Sequence, residues 1–86
     1  MANQEKVQLF TFSSTFQAIK AEKLAQEAGL TARLIPMPGQ LSSLCGLALE
    51  VKAGEAAQAQ AILVAGGIKI DQQVEAQRLQ GRLQII

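Results

Sequence analysis

The 86-residue chain carries one cysteine, Cys45, in the run Ser42-Ser43-Leu44-Cys45-Gly46. A thiolate is a strong nucleophile when it is accessible and its charge is stabilised. Ser42 and Ser43 offer hydroxyls ahead of it. Gly46 lets backbone N–H groups approach a sulfur without an intervening side chain. The opposing reading is that Cys45, just before a clean strand, is a small buried hydrophobe, as free cysteine often is. Composition alone favours that plainer role.

Other chemistries are set aside by what the chain lacks. It has no histidine, hence no Ser/His/Asp set and not the commonest metal ligand. One cysteine makes neither an intramolecular disulfide nor a four-ligand zinc site. No phosphate-cradling glycine motif occurs. The carboxylates Glu5, Glu22, Glu27, Glu50, Glu55, Asp71 and Glu75 are expected mainly on solvent faces. Arg33, Lys20 and Lys52 could draw in an anion, although plain solvation is the default for each. A formal net charge of +1 gives no electrostatic case for nucleic acid or an anionic membrane as partner. No stretch reaches membrane-span length, and Met1 to Lys6 lack the apolar core of a signal peptide. A lone thiol suits a reducing compartment, so a cytoplasmic location is expected.

The elements that must position Cys45 follow from periodicity. Val7 to Phe12 read as a first strand. Ser13, Ser14 and Thr15 start a helix, with Ser14 and Gln17 at capping-box spacing. From Phe16 to Ala28 the apolar positions Phe16, Ala18, Ile19, Ala21, Leu24, Ala25 and Ala28 are expected to lie on a sheet, with Gly29 as C-terminal cap. Thr31 to Ile35 form a second strand, ended by Pro36 and Pro38. Residues 36–46 make the longest loop. Leu47 to Lys52 alternate, predicting a third strand with one buried face. Gly54 is placed as N-cap of a second helix over Ala56 to Ala65, which Gly66 and Gly67 stop. Ile68 to Ile70 give a short fourth strand.

The order strand, helix, strand, strand, helix, strand predicts a single α+β domain over residues 1–86. Its core is about 7–70: a ferredoxin-like βαββαβ sandwich, two helices on one face of a four-stranded antiparallel sheet. Asp71 to Ile86 form an extension, for which a short helix from Gln72 to Gln80 with an extended end is one reading. The apolar end, Leu83-Gln84-Ile85-Ile86, either packs on the domain or pairs with another copy, so a homo-oligomer through a sheet edge or the tail stays open. In this layout the loops after strands one and two share one end of the sheet. The helix start at Ser14 and Thr15 then lies near the Cys45 loop, and its partial positive charge would lower the thiol pKa and hold an anionic sulfur.

The stretches Phe12-Ser13-Ser14-Thr15, Ala21-Glu22-Lys23-Leu24, Arg33-Leu34-Ile35-Pro36-Met37-Pro38 and Ser42-Ser43-Leu44-Cys45-Gly46-Leu47-Ala48-Leu49 resemble the selenium/sulfur carrier protein-like family of small bacterial domains. The resemblance covers roughly Leu9 to Ile70. It is most specific in the Pro-x-Pro followed by Ser-x-x-Cys-Gly and an apolar strand. It implies that Cys45 carries sulfur or selenium as a persulfide or selenosulfide, with Ser43 and Gly46 shaping the pocket. The implied partners are a donor and an acceptor protein. No cofactor or metal is required, and the chain is expected to be a carrier rather than a turnover enzyme. The alternatives are a non-catalytic interaction module in which Cys45 is structural, and a redox-sensing thiol.

Overall fold

The computed structural model describes residues 4–36, 46–79 and 81–85. The chain is α+β: β1 (Gln4–Phe12), α1 (Thr15–Glu27), β2 (Ala32–Pro36), β3 (Leu47–Lys52), a 3-10 turn (Ala53–Glu55), α2 (Ala56–Ala65), β4 (Ile70–Leu79) and β5 (Arg82–Ile85). The strands form one antiparallel sheet in the order β2-β3-β1-β4-β5. It has five strands rather than the expected four.

The difference lies in residues 70–85. The Gln72 to Gln80 helix does not form. Glu, Gln, Ala and Arg favour helix by intrinsic propensity, but Val74, Ala76 and Arg78 alternate toward one face, and β4 pairs with β1 from Gln4↔Leu79 to Phe12↔Ile70. Pairing and burial along a whole central strand override local propensity. Leu79↔Arg82 closes a tight β4–β5 turn, in which Gly81 has φ +84°. Of the apolar end, Leu83 and Ile85 pack, partly buried, against this domain's own core.

Both helices contribute to one apolar cluster. It joins Ala18, Ala21 and Ala25 of α1 and Ala56, Ala59 and Leu63 of α2 to Phe10, Phe12, Leu49 and Val51 of the sheet. Alanines at the α1 contact let the helix approach closely. The expected α1 face is only partly correct, because Phe16 and Ile19 are exposed. The helix ends are read well. Leu30 N–H donates to Ala25 O at 3.1 Å and Ile68 N–H to Leu63 O at 2.9 Å, with Gly29 and Gly67 at positive φ. Each is a Schellman closure with a buried apolar residue after the glycine. The N-cap of α2 is Glu55 instead of Gly54, because the 3-10 turn takes up residues 53–55.

The opposite face of the sheet is buried too. Val7, Leu9, Ile35, Ala48 and Ala76 form a second cluster, joined by Val74, Leu83 and Ile85. The expectation of one buried face for β3 therefore fails, as does solvent exposure for Glu50, which is 6% exposed. Arg78 neutralises it: Nε donates to Oε2 at 2.7 Å and Nη2 to Oε1 at 2.6 Å. Glu50 pairs with Leu9 and Arg78 with Glu5, on opposite sides of β1. On a flat sheet their Cα atoms would lie roughly 16 Å apart, from two strand spacings and four residue steps. That exceeds the combined reach of the side chains, so the sheet must curl to close the pair. The hydrogen-bonded Glu50 carboxylate, followed by the charges of Glu50 and Glu5, raises the Arg78 pKa against the opposing effect of burial. The raised value keeps Arg78 charged throughout the ordinary pH range, and its contribution would be lost only as pH rises through that value.

Side chains close the β2 edge. Glu22 Oε2 accepts from Leu34 N–H at 2.8 Å, Gln26 Nε2 donates to Ala32 O at 2.9 Å, and Glu55 Oε1 accepts from Thr31 N–H at 2.9 Å. Pro36, the last residue of β2, fits an edge strand because it lacks an N–H.

Two stability outcomes follow. Gly67→Ala forces an L side chain to φ +82° and should lower the unfolding free energy by about 1 kcal/mol. Gly54→Ala meets open space at an ordinary φ and should be neutral or stabilising by up to ~1 kcal/mol. Equal effects in urea denaturation would refute the assignment of the two glycines. Arg78→Met strands a buried carboxylate and should cost about 3 kcal/mol, the low end for a broken buried pair because Arg33 remains nearby. Adding Glu50→Leu should recover most of that loss. A double variant no more stable than Arg78→Met alone would show that burial of the charge is not the cause.

Candidate functional site

The sheet end where β1 stops and β3 starts is set by register. Thr11 pairs with Ala48, and Pro36 with Leu47. The β1–α1 junction at Ser13 and Ser14 and the start of β3 at Gly46 and Leu47 therefore lie at the same end. The Cys45 loop, which was expected beside this helix start, lies outside the described residues; of that segment only Gly46 is described, at the same sheet end as Ser13 and Ser14.

Ser14 is the N-cap of α1. Its backbone is extended (φ −153°), and its hydroxyl accepts from Gln17 N–H at 3.2 Å. The second arm of the capping box is replaced: Gln17 Oε1 accepts instead from Lys69 N–H at 3.1 Å, fastening α1 to the segment that enters β4. Thr15 is the first residue of α1 and is exposed. No acidic residue stands in the first turn, so no side-chain carboxylate there offsets the positive end of the helix dipole. Gly46 is exposed at φ +70°. That left-handed conformation admits glycine far more readily than other residues, a constraint that the sequence reading of Gly46 as a small neighbour did not contain. Cys45, Ser42 and Ser43, with Met37 and Pro38, lie outside the described residues.

Thr11 is a residue the sequence did not single out. It is fully buried, and its Oγ1 has no hydrogen-bond partner among the described residues. A buried hydroxyl left this way costs about 1–3 kcal/mol. It sits on β1 opposite Ala48, two residues beyond Gly46 along β3. Nothing in the alternation of Val7 to Phe12 marked it, since a threonine in a strand is ordinary.

Among the described residues no group of acidic, cysteine or histidine side chains could hold a metal ion. No described helix is long and apolar enough to cross a membrane.

No curated protein and no solved structure gives a significant match to the chain. A family model, described as "Putative Se/S carrier protein-like", matches residues 8–75. That span begins in β1 and ends within β4, taking in both helices, the Gly46 end of the sheet and the segment that carries Cys45. On this match over most of its length, the chain belongs to the Se/S carrier protein-like family.

Proposed function

We propose that this protein carries sulfur or selenium on Cys45 and hands it to an acceptor protein, acting as a carrier and not as a turnover enzyme. The observation that carries the reading is family membership over residues 8–75. The register that brings Gly46, the residue after Cys45, to the sheet end bearing the α1 N-terminus supports it. We also read β1 to β4 with the two helices as a ferredoxin-like layout extended by β5. The order β2-β3-β1-β4 and the antiparallel pairing support that reading.

The chemistry needs no cofactor. A donor protein presents a persulfide or selenosulfide. The Cys45 thiolate attacks its terminal sulfur or selenium, a new bond forms to the Cys45 sulfur, and the donor leaves as a thiolate. Nothing is oxidised or reduced overall. The acceptor's nucleophile then takes the terminal atom and Cys45 departs as a thiolate. The carried form is anionic, and a helix N-terminus with no carboxylate in its first turn suits an anion. Ser14 and Thr15 supply that terminus. Ser42 and Ser43 precede Cys45 in the sequence as candidate hydroxyl donors, and Gly46 follows it. The thiolate has to stay reduced between transfers, which fits a cytoplasmic protein.

Mass spectrometry after incubation with a cysteine desulfurase and cysteine reads the loading directly. One added sulfur on Cys45, absent in Cys45→Ser, is expected. An unmodified Cys45 under conditions that load a known carrier would defeat the proposal. The pH dependence of alkylation is a second readout. The rate should titrate below the ~8.5 of an ordinary thiol, and a titration at or above that value removes the helix from the mechanism.

Thr11 offers a separate check. Thr11→Val replaces a hydroxyl that has no partner among the described residues by a methyl group and should stabilise the fold by about 1 kcal/mol. If the hydroxyl serves the sulfur, the same change slows alkylation of Cys45 at fixed pH. A stabilised variant with unchanged alkylation confines Thr11 to the core.

A further inference from the structure

A second polar site lies at the other end of the sheet. A cavity of about 380 Å³ is lined in part by Glu5, Arg33, Glu50, Lys52 and Arg78. That volume lies within the ordinary range for small-ligand sites. Lys52 is five residue steps along β3 from Leu47, roughly 17 Å, so this site is distinct from the end that carries Gly46.

Its charges are unequally committed. Arg78 gives Nε and Nη2 to the two Glu50 oxygens and Nη1 to Gly81 O at 3.3 Å. Glu50 is therefore neutralised by one partner in bidentate geometry. Arg33 plays no equivalent part. Its Nε stands 3.7 Å from Glu50 Oε1, beyond hydrogen-bond length, and its side chain is 63% exposed. Lys52 is exposed on the same rim, paired in register with Val7 on β1. Once the Glu50–Arg78 pair is discounted, the lining holds two cations, Arg33 and Lys52, against Glu5 alone. Glu5 pairs in register with Arg78 and adds to that residue's raised pKa.

Arg33 lines the cavity with its side chain largely exposed and its Nε beyond hydrogen-bond length from Glu50, so its guanidinium can reach an oxyanion that enters. Planar and tetrahedral oxyanions fit the guanidinium fork bidentately. We propose that the cavity binds a small oxyanion, a carboxylate or a phosphate group, gripped by the Arg33 guanidinium and the Lys52 ammonium above the Glu50–Arg78 pair. The proposal does not depend on the carrier reading, since no residue of the Cys45 end takes part.

Backbone amide shifts in a ¹⁵N-labelled sample, titrated at constant ionic strength with inorganic phosphate and separately with acetate, test it. Saturable shifts centred on Arg33, Val51 and Lys52 are expected with at least one probe. Saturation by phosphate alone assigns a phosphate group, and saturation by acetate alone a carboxylate. Arg33→Gln should weaken binding at least about tenfold, whereas Lys20→Gln, on α1 outside the cavity, should leave it unchanged. Because Arg33 is exposed, its variant should fold, and its amide spectrum reports whether it does. Shifts that never saturate with either probe, or that persist at equal strength in folded Arg33→Gln, overturn the proposal.

Discussion

From Leu9 to Phe12 β1 is buried from both sides, and the rest of the molecule follows from that. Val7, Leu9, Phe10, Thr11 and Phe12 all lie at or below 1% exposure. Successive residues of a strand point to opposite faces, so a stretch buried on both faces needs two covers. The helices cover Phe10 and Phe12. On the other face Val7 and Leu9 pack with Ala48, Ile35 and the β4–β5 residues Val74, Ala76, Leu83 and Ile85. A chain of 86 residues has little apolar surface to bury. Drawing the β4–β5 hairpin into the second cluster enlarges the core without a third helix.

That arrangement explains the one buried carboxylate. Glu50 belongs by alternation to the face opposite the helices, which would be wet in a two-layer sandwich of helices on a sheet. Curling covers that face, and the charge is tolerated because a bidentate arginine reaches it across β1. A buried ion pair is weak evidence of net stability, since desolvation opposes the attraction. Its stronger effect is geometric: the pair forms only at one curl and one register of β4 on β1. A one-residue slip of β4 would send Arg78 to the helix face and leave Glu50 alone.

Local signals carried most of the element reading. The α2 limits, the β3 limits, the Ser14 cap and both glycine stops are written in residue types that act within a few positions of themselves. What escaped the sequence is non-local. β4 was misread because Asp71 to Leu79 has helix-favouring composition, and only its partner on β1 makes it a strand. Glu50 was misread because the residue that neutralises it lies twenty-eight positions away. Thr11 is invisible to spacing because the lack of a partner for its oxygen among the described residues is a property of packing and not of spelling. At the candidate carrier end, topology alone puts the Ser14 helix start and the start of β3 at one end of the sheet, while the positive φ of Gly46 is not written in the spacing.

The two ends of the sheet differ in what they can hold. At the Gly46 end the positive partial charge comes from backbone, the α1 N-terminus, whose strength does not depend on rotamers and is fixed once the helix forms. A charge held in peptide dipoles costs little reorganisation when an anion arrives or leaves. This suits a group that must be accepted and released with similar ease. At the Lys52 end the positive charge sits on long side chains, which lose rotamer freedom when they close on a ligand and grip it through a planar fork. The first arrangement favours passage and the second favours retention. The curl that places Arg78 on Glu50 leaves Arg33 only a longer, 3.7 Å approach to that carboxylate, so the interaction that closes the second core also bears on the electrostatics of the remote cavity.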